Sequence, residues 1–202
     1  MNTIVYVLVP VAYLLGTFPS AILVARSKGI DITTVGSGNP GASNIARTLG
    51  AKWGIAVFAM DALKGAVPAA VGLLLDTRPG AYVLVAAAVL GHMYPVTRGF
   101  RGGKGVATLG GATIVLHPVV FAALVVLWYV VRTATKKASL ASFAVIIGLP
   151  VGVAVSGRAG WEVAAVVGLA LLVMGLALLV MVRHVDNIKR LLAGNELSAT
   201  KS

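Results

Sequence analysis

VATLGGATIVLHPVVFAALVVLWYVVRT, residues 106–133, reads either as one helix of about 28 residues or as two segments. The break would fall at His117-Pro118, because a proline cannot donate to the helical ladder and disfavours helical backbone at the residue before it. Backbone preference leaves both readings open. The choice sets the number of membrane crossings and the side on which everything downstream lies.

The rest of the chain is equally apolar. Its 202 residues are 58% hydrophobic and 11% charged, with a mean hydropathy of +0.95. No soluble domain of this size hides so much apolar surface, so the chain reads as a single all-α polytopic membrane domain over residues 1–202. Apolar runs bounded by charged, Gly or Pro residues cover 3–25, 52–75, 80–97, 106–116, 117–133, 139–156 and 161–182. Because such runs recur down the chain, the first is read as a retained span and not as a removed signal peptide.

Charge decides the ambiguous stretch. With the N-terminus outside, Arg26, Lys28, Arg47 and Lys52 fall inside, as do Arg98, Arg101 and Lys104. A single helix over 106–133 would send Arg132, Lys136, Lys137 and the basic C-terminal tail outside. Two segments bring them back. That leaves 14 of the 17 Lys and Arg inside, only Arg78 and Arg158 outside, and Lys64 within a span. Cytoplasmic loops are enriched in Lys and Arg, so the expected fold is seven transmembrane helices, N-terminus outside and C-terminus cytoplasmic. The first leg, at about 11 residues, rises only ~16 Å against ~30 Å of hydrocarbon. It is therefore expected to be tilted, buried in protein, or set in locally thinned bilayer.

This topology gathers three polar stretches on the cytoplasmic side. The first is GSGNPGASNIAR, residues 36–47. Its glycines, Gly41 among them, allow close backbone approach to an anion, and Ser37, Asn39, Ser43 and Asn44 add small donors. Ser43 or Asn44 is placed to cap a helix whose N-terminus would favour an anion, and Arg47 suits a bidentate phosphate contact. A flexible polar loop is the plain alternative.

The second stretch is GHMYPVTRGFRGGKGVAT, residues 91–108. A nucleotide-binding G-x-x-x-x-G-K-[ST] loop fails here: Arg98 stands where its first glycine belongs, Gly105 follows the lysine, and no acidic strand exists. What survives is an anion cradle, Gly102, Gly103 and Gly105 around Lys104 immediately before a helix. The alternative is that Arg98, Arg101 and Lys104 merely mark the membrane surface. The third stretch is RHVDNIKRLLAGNE, residues 183–196, where His184 and Asn187 share one side of a helix. A basic helix touching anionic lipid would not need that pairing.

Smaller features follow from spacing. Asp61 and Lys64 lie i,i+3 within span two, which suits a structural ion pair. Ser139 and Ser142 open span six, and Ser142 either caps that helix or donates to a substrate phosphate. His117 reads as a packing or interface residue near the opposite face. No cysteine is present, which removes thiol catalysis and disulfides, and His92, His117 and His184 lack metal-ligand spacing. No metal and no cofactor are expected. An acyltransferase His-x4-Asp pattern is also absent, since Thr97 and Lys189 occupy the acid positions.

The net charge of +11 sits at span ends in a chain of low aromatic content, so anionic lipid and anionic substrates are the expected partners and nucleic acid is not. Clusters of cations and N–H donors at a membrane surface suit phosphate-bearing substrates, one of them lipidic, with catalysis by positioning and charge stabilisation. A transporter or flippase of a phosphorylated metabolite is the main alternative, opposed by the lack of an inverted repeat and by clusters confined to one face. A non-enzymatic assembly factor is a third.

All three stretches, in order and spacing, resemble the motifs of the small integral-membrane, acyl-phosphate-dependent glycerol-3-phosphate acyltransferases of bacteria. DALKG in span two and SLAS in span six look similar to that family as well. The resemblance implies transfer of a fatty acyl group from acyl phosphate to the 1-hydroxyl of sn-glycerol 3-phosphate, giving lysophosphatidate and phosphate. It also implies seven transmembrane helices in the bacterial inner membrane, an active site facing the cytoplasm, and a soluble phosphate acyltransferase as donor supplier. Carried over by motif position, Arg47, Lys104 and Ser142 hold phosphate groups, and His184 and Asn187 position glycerol 3-phosphate. Ser37, Asn39 and the glycine loops surround the acyl-phosphate headgroup. Three departures are conservative: Ser43 replaces a usual Thr, Ala46 is smaller than usual, and Arg101 is often Lys in the family.

Overall fold

The computed structural model describes residues 3–75 and 78–156, with Val182 and Val185 beyond them. The rest of predicted span 161–182 lies outside the described residues, as does the third polar stretch apart from Val185, with His184 and Asn187. Among the described residues every regular element is helical: α1 Thr3–Gly16, α2 Ser20–Arg26, α3 Ala42–Leu49, α4 Ala51–Leu75 and α5 Arg78–Met93, then a 3-10 turn at Val96–Arg98, α6 Val106–Leu116, α7 Pro118–Thr135 and α8 Ala138–Val155. Five of the described stretches are long and apolar enough to cross a membrane: Thr3–Arg26, Ala51–Leu75, Arg78–Arg98, Pro118–Thr135 and Ala138–Val155.

Residues 106–133 are two helices. His117 breaks them with φ −144° and ψ 69°, outside the helical region. Its N–H still donates to the Thr113 carbonyl at 2.7 Å, and its own carbonyl accepts from Phe121 N at 2.9 Å, so the turn leaves both groups satisfied. Of the accommodations expected for so short a first leg, burial in protein is present. Thr108, Leu109, Gly111, Ala112, Thr113 and Leu116 are all buried. Two glycines permit the approach. A Cβ on Gly65 of α4 would overlap the Thr108 carbonyl, and one on Gly111 would overlap the Ala62 carbonyl. Helices in lipid gain little from the hydrophobic effect, so such close backbone packing holds α4 and α6 together.

Two of these spans, read from sequence as 3–25 and 80–97, are not continuous α-helix. The run 3–25 is interrupted at Thr17–Pro19, where Pro19 lacks an N–H and disfavours helix at Phe18. The exposed backbone is repaired by side chains: Thr17 Oγ1 donates to Leu14 O at 2.7 Å, and Lys64 Nζ donates to Phe18 O at 2.6 Å. The run 80–97 stops being regular α-helix at Met93, ahead of Pro95, and finishes as the 3-10 turn.

The main core is built on α5. Val85, Val89 and Met93 belong to one buried cluster with Leu109 of α6, Leu124 of α7 and Ile146 of α8. Large aliphatics on the outside, such as Leu74 (85% exposed) and Val119 (79%), are what a lipid-facing surface requires. Between α2 and α3 the chain is braced locally. The Asp31 carboxylate accepts from Thr33 Oγ1 at 2.7 Å and Thr33 N at 2.9 Å, and these bonds hold its pKa below the usual carboxylate range.

Candidate active site

The loop before α3 is wrapped around one amide. Asn44 is 1% exposed; its Nδ2 donates to Ile32 O at 3.2 Å and Val35 O at 3.0 Å, and its Oδ1 accepts from Ser37 N at 2.9 Å. The helix starts at Ala42 with Gly41 as its N-cap, so neither Ser43 nor Asn44 is the cap. A buried Asn with its acceptor and donors engaged shapes the wall that carries Ser37 and Asn39.

The loop before α6 also departs from the simple cradle. Gly102 N donates to Met93 O and Gly103 N to His92 O, each at 3.1 Å. These amides satisfy carbonyls left open at the C-terminal end of α5, so they are spent on the scaffold. Gly105, at φ 79° in the left-handed region that favours glycine, is the N-cap that starts α6. At α8 the N-cap is Lys137 and the helix opens at Ala138, so Ser142 lies in the second turn and is no cap.

A cavity of about 170 Å³ lies where these elements meet. Ala42 and Ser43, Val106 and Ala107, Ala138 and Ser139 all line it, and each pair is the first two residues of a helix. First-turn amides have no partner within their own helix, and the helix dipole makes that end positive. Three such ends converge on one volume, with the side chains of Arg47 and Lys104 in its lining. Helix N-termini and cationic side chains of this kind favour an anion of high charge density.

Of the residues expected at the site, Ser37, Asn39, Gly41, Ser43, Asn44, Arg47, Lys104, Gly105 and Ser142 are brought together around the cavity. Gly102 and Gly103 run beside it as backbone support. His184 and Asn187 lie outside the described residues. The lining also contains residues that sequence reasoning did not assign to binding: Ser139, Phe58, Trp128, Asp61 and His92. Ser139 had a signal in the Ser-rich start of span six. Phe58 and Trp128 had none, being two aromatics within apolar spans. Asp61 and Lys64 form the expected pair at 2.6 Å, both almost fully buried. His92 Nδ1 stands 3.8 Å from Asp61 Oδ1, a proximity between α4 and α5 that a search along the chain for His-x4-Asp cannot find. His117 is a packing residue, as expected: Tyr82 Oη lies 2.5 Å from its Nε2.

A family profile described as Glycerol-3-phosphate acyltransferase matches residues 6–194, nearly the whole chain. The chain belongs to the glycerol-3-phosphate acyltransferase family. Similar relatives include the glycerol-3-phosphate acyltransferases of Geobacter sulfurreducens, 39% identical over 94% of this chain and 95% of that protein, and of Aquifex aeolicus, 38% identical over 94% and 96%. The crystal structure of PlsY (YgiH), an integral membrane glycerol 3-phosphate acyltransferase, in its glycerol 3-phosphate form superposes with a TM-score of 0.86 at 38% identity, covering 96% of this chain and 94% of that one. Its lysophosphatidic acid form gives 0.84 at 37% identity over the same shares. This glycerol-3-phosphate acyltransferase is thus a multi-pass integral membrane enzyme of lipid synthesis, and the transporter and assembly-factor readings fall away.

Proposed function

We propose that the cavity at the three helix N-termini is the active site, and that the acyl donor is acyl phosphate. In this reading the enzyme moves a fatty acyl group to the 1-hydroxyl of sn-glycerol 3-phosphate, with lysophosphatidate and inorganic phosphate as products. The convergence of α3, α6 and α8 N-termini on Arg47 and Lys104 carries the proposal, because it concentrates positive potential where a phosphate departs. Arg47, Lys104, Ser142 and Ser37 hold the phosphate of the donor. Phe58 and Trp128 supply an apolar side along which its acyl chain lies. His184 and Asn187 position glycerol 3-phosphate. The glycerol 3-phosphate and lysophosphatidic acid forms of the related PlsY support a site that takes a phosphorylated acceptor and its acylated product.

Chemically, the acceptor oxygen attacks the acyl carbonyl carbon, the carbon–oxygen bond to phosphate breaks, and phosphate leaves. The hydroxyl proton passes to a phosphate oxygen of the substrate. A substrate-borne base fits the lining, because among the described residues the carboxylate that reaches the cavity, Asp61, already accepts from Lys64 Nζ at 2.6 Å. The N-terminus lies outside the bacterial inner membrane and the cavity faces the cytoplasm, on the side where a soluble phosphate acyltransferase supplies the donor. Purified protein given acyl phosphate and glycerol 3-phosphate should release phosphate and form lysophosphatidate, and Lys104→Ala should abolish most of that release. Absence of turnover in the wild type, or undiminished turnover in Lys104→Ala, would sink the reading.

A further inference from the structure

We propose that His92 is a positioning residue for Lys104, held in one tautomer by the buried Asp61–Lys64 pair. The inference rests on Lys104 as a phosphate-binding residue and extends that reading to the groups behind it.

The chain path makes the connection. His92 and Met93 end α5, and their carbonyls receive the amides of Gly103 and Gly102. The His92 ring lies directly against the same segment, since a Cβ on Gly103 would collide with its Nε2. Lys104 comes next, and then Gly105, the N-cap of α6. One residue therefore sets, through its carbonyl and its ring edge, the height of both a cation and a helix N-terminus at the cavity. His92 is itself 6% exposed and lines that cavity.

The ring's own orientation comes from α4. Lys64 Nζ donates to Asp61 Oδ1 and to Phe18 O, each at 2.6 Å, and lies 3.4 Å from His92 Nδ1. An ammonium has only hydrogens to give, so Nδ1 is the acceptor and the ring proton sits on Nε2. Asp61 Oδ1, at 3.8 Å, is beyond hydrogen-bond reach of Nδ1. Lys64 has taken the carboxylate that would otherwise orient His92 as a base. Among the described residues the charged groups around it are Asp61 and Lys64 from α4, Arg98 from the 3-10 turn, whose charge acts on both of these, and Lys104, which shares the cavity lining with His92. From α1, Gly16 packs against the His92 backbone and brings no charge.

The test is a double-mutant cycle on the full-length enzyme, with acyl phosphate and glycerol 3-phosphate as substrates. His92→Ala should lower kcat/KM roughly tenfold to a hundredfold, the size of a misplaced catalytic group. His92→Gln, whose amide N–H stands where Nε2–H does, should recover most of it with an unchanged pH–rate profile. His92→Asn reaches only the Nδ1 position and should behave like His92→Ala; it replaces the alanine variant if that fails to fold. His92→Ala combined with Lys104→Ala should be no worse than Lys104→Ala alone. Equal rates in the Asn and Gln variants, or loss of the acidic limb in His92→Gln, would overturn the positioning role. Additive losses in the double variant overturn this inference alone. Wild-type activity in Lys104→Ala overturns the phosphate-site reading and the inference together.

Discussion

Truncating Asn44 would strip the Ser37 amide and the Ile32 and Val35 carbonyls of the partner that its buried amide provides. Asn44→Ala should therefore cost about 1–3 kcal/mol, the penalty for buried groups left unsatisfied, and lower activity by loosening the wall that holds Ser37. Thermal unfolding in detergent reads the first effect and KM for acyl phosphate the second. Ser139 is the opposite case. Among the described residues its buried Oγ has no hydrogen-bond partner. Ser139→Ala should leave the unfolding temperature unchanged or raise it while raising KM, if the hydroxyl is kept for a substrate oxygen. A fall in stability with KM unmoved would show that the hydroxyl serves the fold. At this scale the residue types at the site were readable along the chain, whereas their division into braces and binders was not. Whether an Asn donates inward or outward depends on the carbonyls that the fold brings to it.

Between α4 and α6 the packing tolerates almost no added volume. Gly65→Val should overpack that interface and cost about 1–3 kcal/mol, and it should also lower activity, since α6 follows directly on Lys104 and its N-cap Gly105. Ala70→Val, half-buried on the same helix, should be milder in the same unfolding assay. The two proline breaks were not equally legible. His117-Pro118 stands out because the alternative reverses the charge sidedness of the chain's second half. Phe18-Pro19 sits in a uniformly apolar run of spanning length, and the bond that repairs its backbone comes from Lys64, far along the chain.

For the whole molecule, the proposed seven crossings with the cavity inside make an accessibility prediction that a chain without cysteine is well suited to test. In intact cells an impermeant thiol reagent should label Pro79→Cys and leave Thr33→Cys and Lys136→Cys unlabelled until the membrane is opened. All three positions are exposed in the fold. Labelling of Lys136→Cys from outside would place α7 and the downstream chain on the wrong side and remove the shared face on which the proposed site depends. Hydrophobic length, proline and the sign of charge are properties of short stretches, so the sequence by itself determined the apolar spans, the split at His117 and the stretches that carry Arg47 and Lys104. Only the tertiary structure decided that the first turns of α3, α6 and α8 point at one volume, that Gly102 and Gly103 spend their amides on α5, and that Lys64 stands between Asp61 and His92. Those are relations through space between residues far apart in the chain, set by which helices pack closely enough for backbone to touch backbone.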